Sequence, residues 1–85
     1  MQALQKRYCL SSGIRIRHEE FGGTLYNHKT GTIIFIYSKE VLTILENGGE
    51  KTIAEMLPQE MNDVVSKVIN LLENLNAKGL INEVD

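Results

Sequence analysis

The sequence has one cysteine, no long apolar run and no marked excess of either charge, and each absence excludes a class of protein. A lone Cys9 forms no intramolecular disulfide and no cysteine-based zinc cluster, so we expect a reducing compartment and a buried or half-buried thiol. No stretch approaches the ~20 apolar residues that span a bilayer, and Met1 to Arg7 lack the apolar core of a signal peptide. We therefore expect a cytoplasmic protein with no membrane partner.

The charge balance and the length also restrict the function. Nine Lys and Arg stand against eleven Asp and Glu, a formal net charge of −2, whereas nucleic-acid binding needs clustered positive charge. A chain of 85 residues forms one domain, residues 1–85, with a modest core and little room for a catalytic cavity. These features favour a small binding module that has no nucleic-acid partner.

Strand patterns occupy the first half of the chain. Ile14 to Glu20 alternates apolar and polar residues, Thr24 to Asn27 is a second strand, and Gly31 to Tyr37 is a β-branched and aromatic third. Phe21-Gly22-Gly23 is assigned to a turn between the first two. Tyr8 to Leu10 is a further extended segment that we expect to tuck against the sheet. The pattern predicts a three-stranded antiparallel meander with its third strand at the edge.

A register for this sheet follows from the turns. Arg17 should lie opposite Tyr26 in the first hairpin, and Asn27 should pair with Thr32 in the second. One face of the sheet is then apolar and meets the core, whereas the other is amphipathic and faces outward. The inner face comprises Ile14, Ile16, Leu25, Ile34 and Ile36, and the outer face comprises Arg17, Tyr26, Ile33 and Phe35.

The hydrophobic period becomes helical after Ser38, which we assign as an N-cap. A first helix should end at Asn47-Gly48-Gly49, and Thr52 with Glu55 has the form of a capping box that opens a short second helix. A longer third helix is predicted from about Gln59 to Lys78. The expected fold class is α+β, a three-stranded antiparallel meander followed by a three-helix bundle.

The apolar stripe of the third helix is wider than one packing surface requires. It spans an arc of about 160°, whereas packing on one surface needs about 100°. A helix wedged between two neighbours in its own domain explains the excess width. A helix with one margin lining a groove beside the edge strand explains it equally, and that margin would comprise Val64, Lys67, Val68 and Leu71.

Residues capable of catalysis or metal binding form one loose cluster, His18, Glu19, Glu20 and His28. Their spacing matches no ligand motif, and we expect solvated or partly buried side chains instead. The sequence therefore predicts no enzyme activity, no metal and no cofactor.

Two functions from different classes fit these elements. The closing segment Leu72 to Ile81 looks like the end of a winged helix-turn-helix, so a nucleic-acid-binding regulator is the alternative, although Lys67 and Lys78 offer few phosphate contacts. An edge strand that is apolar on both faces has unpaired backbone groups with which another chain can pair. Addition of a peptide to residues 32–37 is therefore the preferred function, and a homodimer through the same edge is another use of that strand.

The segment Arg17-His-Glu-Glu-Phe-Gly-Gly-Thr-Leu-Tyr26 resembles the mycofactocin (MftB-like) branch of the PqqD-like peptide chaperones, also called RiPP recognition elements. The passages Ile34 to Leu45, Asn47 to Ile53 and Leu72 to Ile81 agree with it. The resemblance implies a non-catalytic chaperone that binds the leader region of a ribosomally synthesised precursor peptide by β-strand addition. It further implies presentation of that peptide to a radical S-adenosylmethionine maturase, with a different radical-enzyme pathway as an alternative context.

The resemblance also implies which residues form the site. Leader contacts are expected at Thr32, Ile33, Ile34, Phe35, Ile36, Tyr37, Val64, Lys67, Val68 and Leu71. Arg17, Glu19, Phe21 and Gly22 match the motif of the branch. From the residues alone, Arg17 and Glu19 are interpreted as a cross-strand ion pair that supports Tyr26, and Phe21 as a cap on the sheet.

Overall fold

The computed structural model describes residues 2–57 and 62–84. The elements are a 3-10 helix (Gln2–Gln5), strands β1 (Arg7–Leu10), β2 (Ile14–Glu19), β3 (Gly22–Asn27) and β4 (Ile33–Ile36), helices α1 (Lys39–Glu46), α2 (Ile53–Met56) and α3 (Asn62–Ala77), and strand β5 (Ile81–Val84). The α+β class and the helices are as predicted. The predicted start of the third helix near Gln59 lies outside the described residues, and the bundle and winged-helix descriptions stay predictions.

Strands β2, β3 and β4 form an antiparallel meander with β4 at one edge, which confirms the predicted order. The second hairpin has the predicted register, since the Asn27 N–H donates to the Thr32 carbonyl at 2.9 Å. The first hairpin does not, because Arg17 lies opposite Thr24, and Tyr26 lies opposite Arg15. A shift of two residues preserves the faces of a strand, so the inner and outer faces are those expected.

Two glycines explain the error in the first hairpin. Gly22 and Gly23 lie buried within β3, and the turn is made by Glu20-Phe21 instead. Gly22 has a φ of +144°, and a Cβ there would collide with the carbonyl oxygen of Ile36. A Cβ on Gly23 would lie 2.6 Å from Leu42 Cδ1. These glycines therefore permit close approach of β3 to its neighbours rather than a reversal of the chain.

Tyr8 to Leu10 are extended, as predicted, but strand β1 pairs with no strand of the meander. It pairs antiparallel with β5, a strand that the sequence analysis did not identify, to form a separate two-stranded sheet. Tyr8 and Ile81 are both buried there. The N-terminal and C-terminal segments thus close the domain together.

The core lies between the inner face of the meander and the helices. Helix α1 contacts β3, β4 and α3, so it lies at the centre of this packing. Ser38 Oγ accepts from the Val41 N–H at 3.2 Å, which confirms the predicted cap and fixes where α1 begins. Capping of α2 by Thr52 and Glu55 is likewise confirmed. The buried side chains include Ile14, Leu25, Ile36, Val41, Leu42, Ile44, Leu45, Val65, Val68, Leu72 and Leu75.

Candidate functional site

The outer edge of β4 is open within the part of the chain that the structure describes. Because Asn27 and Thr32 form a hydrogen-bonded pair, alternation directs the backbone groups of Ile34 and Ile36 towards β3. The N–H and C=O groups of Ile33 and Phe35 therefore face the open edge. This edge presents unpaired donors and acceptors in the arrangement that an additional strand requires.

The side chains of the same residues are unusually exposed for apolar groups. Ile33 is 55% exposed, Phe35 is 59% exposed and Tyr37, just beyond β4, is 74% exposed. Phe21 packs against Phe35 edge-on, with ring centroids 5.9 Å apart, and against Tyr37 at 5.0 Å. Phe21 thus fixes an aromatic cluster at the open edge, a more specific position than the predicted cap on the sheet.

A groove separates this cluster from α3. Its volume is about 350 Å³, and its lining residues are Phe35, Tyr37, Ser38, Glu40, Val64, Lys67, Val68 and Leu71. Helix α3 packs on the core through buried Val65, Leu72 and Leu75, which turns its other margin towards β4. The margin that the sequence analysis proposed for a groove therefore lies beside the edge strand.

The predicted site residues divide into two groups. Phe35, Tyr37 and the four residues of α3 are brought together at the groove. Ile34 and Ile36 lie on the core face of β4, Ile36 being 1% exposed and Ile34 partly buried, and neither lines the groove. Thr32 precedes the strand and donates its N–H to the Thr30 hydroxyl at 3.2 Å. Sequence reasoning missed Ser38 and Glu40 as lining residues, since a helix cap and its neighbour carry no binding signal.

The motif residues Arg17 and Glu19 form an ion pair, with 2.8 Å between Arg17 Nε and Glu19 Oε1. Both belong to β2, so the prediction of a cross-strand pair is wrong. The side chain of Arg17 is 80% exposed, and such a pair adds little to stability. Gly22, the remaining motif glycine, acts through the close approach to Ile36 described above.

The groups with a shifted pKa lie outside the groove. Burial raises the pKa of the Tyr8 hydroxyl, and a hydrogen bond from the Thr52 backbone lowers the pKa of the Glu55 carboxyl, but neither group lines the groove. His18 Nε2 lies 2.8 Å from Glu46 Oε2 and links β2 to α1. Across residues 2–57 and 62–84, no group of three or more potential ligands could hold a metal ion. In the same ranges no helix is long and apolar enough to cross a bilayer.

An α+β domain with an open strand edge beside an apolar groove has the features of a peptide-binding module. The model of the peptide chaperone MftB family matches residues 7–82. The chain belongs to this family, which confirms the resemblance seen in the sequence and supports a chaperone role with a peptide partner. Neither a comparison with curated proteins nor one with solved structures gives a significant match.

Proposed function

We propose that the chain binds the leader region of a ribosomally synthesised precursor peptide as an added strand on β4 and presents it to a radical S-adenosylmethionine maturase of mycofactocin-type biosynthesis. The adjacency of an open backbone edge and an apolar groove carries this proposal. Phe35 and Tyr37 belong to the aromatic cluster at the edge and also line the groove. Membership of a peptide chaperone family supports a peptide as the partner and a non-catalytic role for the chain.

The backbone ladder sets the register of the leader. An added strand would meet the N–H and C=O groups of Ile33 and Phe35, for about four hydrogen bonds worth about 0.5–1.5 kcal/mol each. Ordering a disordered peptide costs about 1–2 kcal/mol for each residue, so the ladder alone does not hold the leader. Side chains of the leader must supply the remaining affinity.

The groove provides that affinity through apolar burial. A volume of about 350 Å³ lies at the small end of the range for ligand pockets, ~300–1,000 Å³, and accommodates one or two apolar side chains. Each buried Leu, Ile, Val or Phe contributes about 1.5–3 kcal/mol. We therefore expect a leader with apolar residues at alternate positions, which point to the same side of an added strand.

The groove carries one charged side chain of each sign, Glu40 and Lys67. The Ser38 hydroxyl caps α1 and donates to Glu40 Oε1 at 3.3 Å, which gives the Glu40 carboxylate a hydrogen bond but leaves its charge in place. Lys67 makes no ion pair with any described residue. An acidic leader residue beside the apolar anchors would pair with Lys67.

The proposal is tested by titrating ¹⁵N-labelled protein with the leader peptide encoded beside this chain. We expect saturable shifts confined to the amides of residues 32–37 and of α3, and no response to a scrambled peptide. Phe35→Ala should weaken binding, whereas Tyr26→Ala, which removes an aromatic ring of the outer face away from the groove, is the matched control. Sedimentation first identifies a protein concentration at which the chain does not self-associate through β4, and the titration is run at that concentration. No response to the leader, together with a response to duplex DNA, would favour the winged-helix alternative.

A further inference from the structure

The outer face of the meander carries a second hollow, separate from the groove. Its volume is about 300 Å³, and it is lined by Arg15, Ile16, Arg17, Thr24, Tyr26 and Ile33. None of these residues lines the groove between β4 and α3. The hollow is therefore a second depression with its own set of lining residues.

The sheet register explains the shape of the hollow. Thr24 lies in the central strand and is 8% exposed, so its short side chain forms a floor. Tyr26 and Ile33 are directly opposite each other on β3 and β4 and form an apolar wall. Arg15 lies opposite Tyr26, and Arg17 lies opposite Thr24, which places both guanidinium groups on the rim formed by β2.

The two arginines differ in how they are held. Arg17 uses its Nε to bind Glu19 at 2.8 Å, which orients the guanidinium and leaves its terminal N–H groups for another acceptor. Arg15 makes no ion pair with any described residue. Residues two apart on one strand have Cα atoms about 6.6–7 Å apart and point to the same face, so both guanidinium groups can reach one anion.

The composition of this surface is that of a protein interface. Tyr26 is 39% exposed and Ile33 is 55% exposed, and they continue into the aromatic cluster of Phe21, Phe35 and Tyr37. Aromatic residues and arginine are the types enriched where proteins bind one another, and contiguous exposed apolar surface marks such sites.

We infer that this hollow docks an acidic segment of a partner protein. One apolar side chain of the segment would occupy the floor over Thr24 and the wall of Tyr26 and Ile33. An adjacent carboxylate would bind between Arg15 and Arg17, whose planar groups match carboxylate geometry. The hollow shares Ile33 with the strand edge that the leader uses, whereas its other lining residues lie outside both the edge and the groove.

The test uses three matched peptides, acetyl-Glu-Phe-Glu-amide, acetyl-Gln-Phe-Gln-amide and acetyl-Lys-Phe-Lys-amide, titrated into ¹⁵N-labelled full-length protein. Only the acidic peptide should give saturable shifts at millimolar concentration, at the amides of residues 15–17, 24, 26 and 33. Arg15→Gln and Arg17→Gln should each weaken its binding roughly two- to fivefold, and the double variant about tenfold. Lys51→Gln removes the same charge outside the hollow and should leave binding unchanged.

Superposable amide spectra of the variants away from the hollow establish that each one folds. Equal binding of the neutral and acidic peptides, an equal loss in Lys51→Gln, or no saturable shift would overturn the inference. Shifts that map to α3 instead would also overturn it. Because none of these readouts uses the leader peptide, failure of the leader titration leaves the inference standing, and the reverse also holds.

Discussion

Replacement of Phe35 by Ala separates the two faces of β4 more sharply than any other single change. Phe35 faces outward at 59% exposure, whereas Ile36, the next residue, is 1% exposed in the core. Phe35→Ala should therefore act mainly on leader binding, and Ile36→Ala mainly on folding. The pair differs by one position along the same strand, which makes each variant the control for the other.

The expected magnitudes follow from exposure. A Phe side chain covers about 200 Å² when buried, so the exposed part of Phe35 is worth about 1.5–3 kcal/mol once a peptide covers half to all of it, or a loss of roughly 10- to 150-fold in affinity. Its contribution to folding is limited to the buried fraction and the contact with Phe21, together about 2–3 kcal/mol. Ile36→Ala removes a fully buried side chain and should cost about 2–5 kcal/mol.

Calorimetric titration with the leader peptide and urea unfolding of each variant measure the two quantities. Equal leader affinity in Phe35→Ala and the parent chain would refute the role of the groove. A loss of folding free energy in Phe35→Ala larger than that in Ile36→Ala would refute the assignment of faces.

Three other predictions concern the elements around the site. Gly22→Ala should lower the free energy of unfolding by about 2–4 kcal/mol, because its Cβ meets a carbonyl oxygen. Gly31→Ala, at a φ of +79° in open space, should cost only about 1–2 kcal/mol. Equal losses in urea unfolding would contradict the close approach at Gly22. The lowered pKa of Glu55 means that its capping interaction with Thr52 is fully present above the unfolded value near 4.5 and is lost as the pH falls through the lower folded value, so Glu55→Gln should flatten the acid limb of the stability profile. Ile81→Ala should cost about 2–5 kcal/mol, and a loss below ~1 kcal/mol would show that β5 adds little to the core.

Alternation along β4 was sufficient to predict the site's central feature. A strand with period two places Ile34 and Ile36 on one face and Phe35 on the other whatever its register, so the outward position of Phe35 follows from the sequence. Its place at the edge follows from the order of the three strands. Only the structure shows that the margin of α3 containing Val64 and Lys67 lines a groove. From the sequence, a wide apolar stripe is explained equally well by packing against two neighbours within the fold.

Two features of the fold were not predicted, because they depend on contacts that a local sequence pattern does not reveal. Gly22 and Gly23 have the composition of a turn, yet they lie in a strand because neighbouring atoms leave no room for a Cβ. Strand β5 has only four residues, and its partner β1 lies at the other end of the chain. Its pairing depends on contacts distant in sequence, for which short-range periodicity gives no signal.

The pairing of β1 with β5 also affects the order in which parts of the domain fold. It sets Arg7 opposite Val84, so it closes a loop of nearly the whole chain, at an entropic cost about 2–3 kcal/mol above that of a short hairpin. The meander, built from adjacent strands, should form before the chain ends meet. A molecule whose ends come apart would then lose the burial of Tyr8 and Ile81 while it keeps the bare edge of β4, the combination that favours aggregation. The pairing of β1 with β5 therefore keeps Tyr8 and Ile81 buried while the edge of β4 stays open.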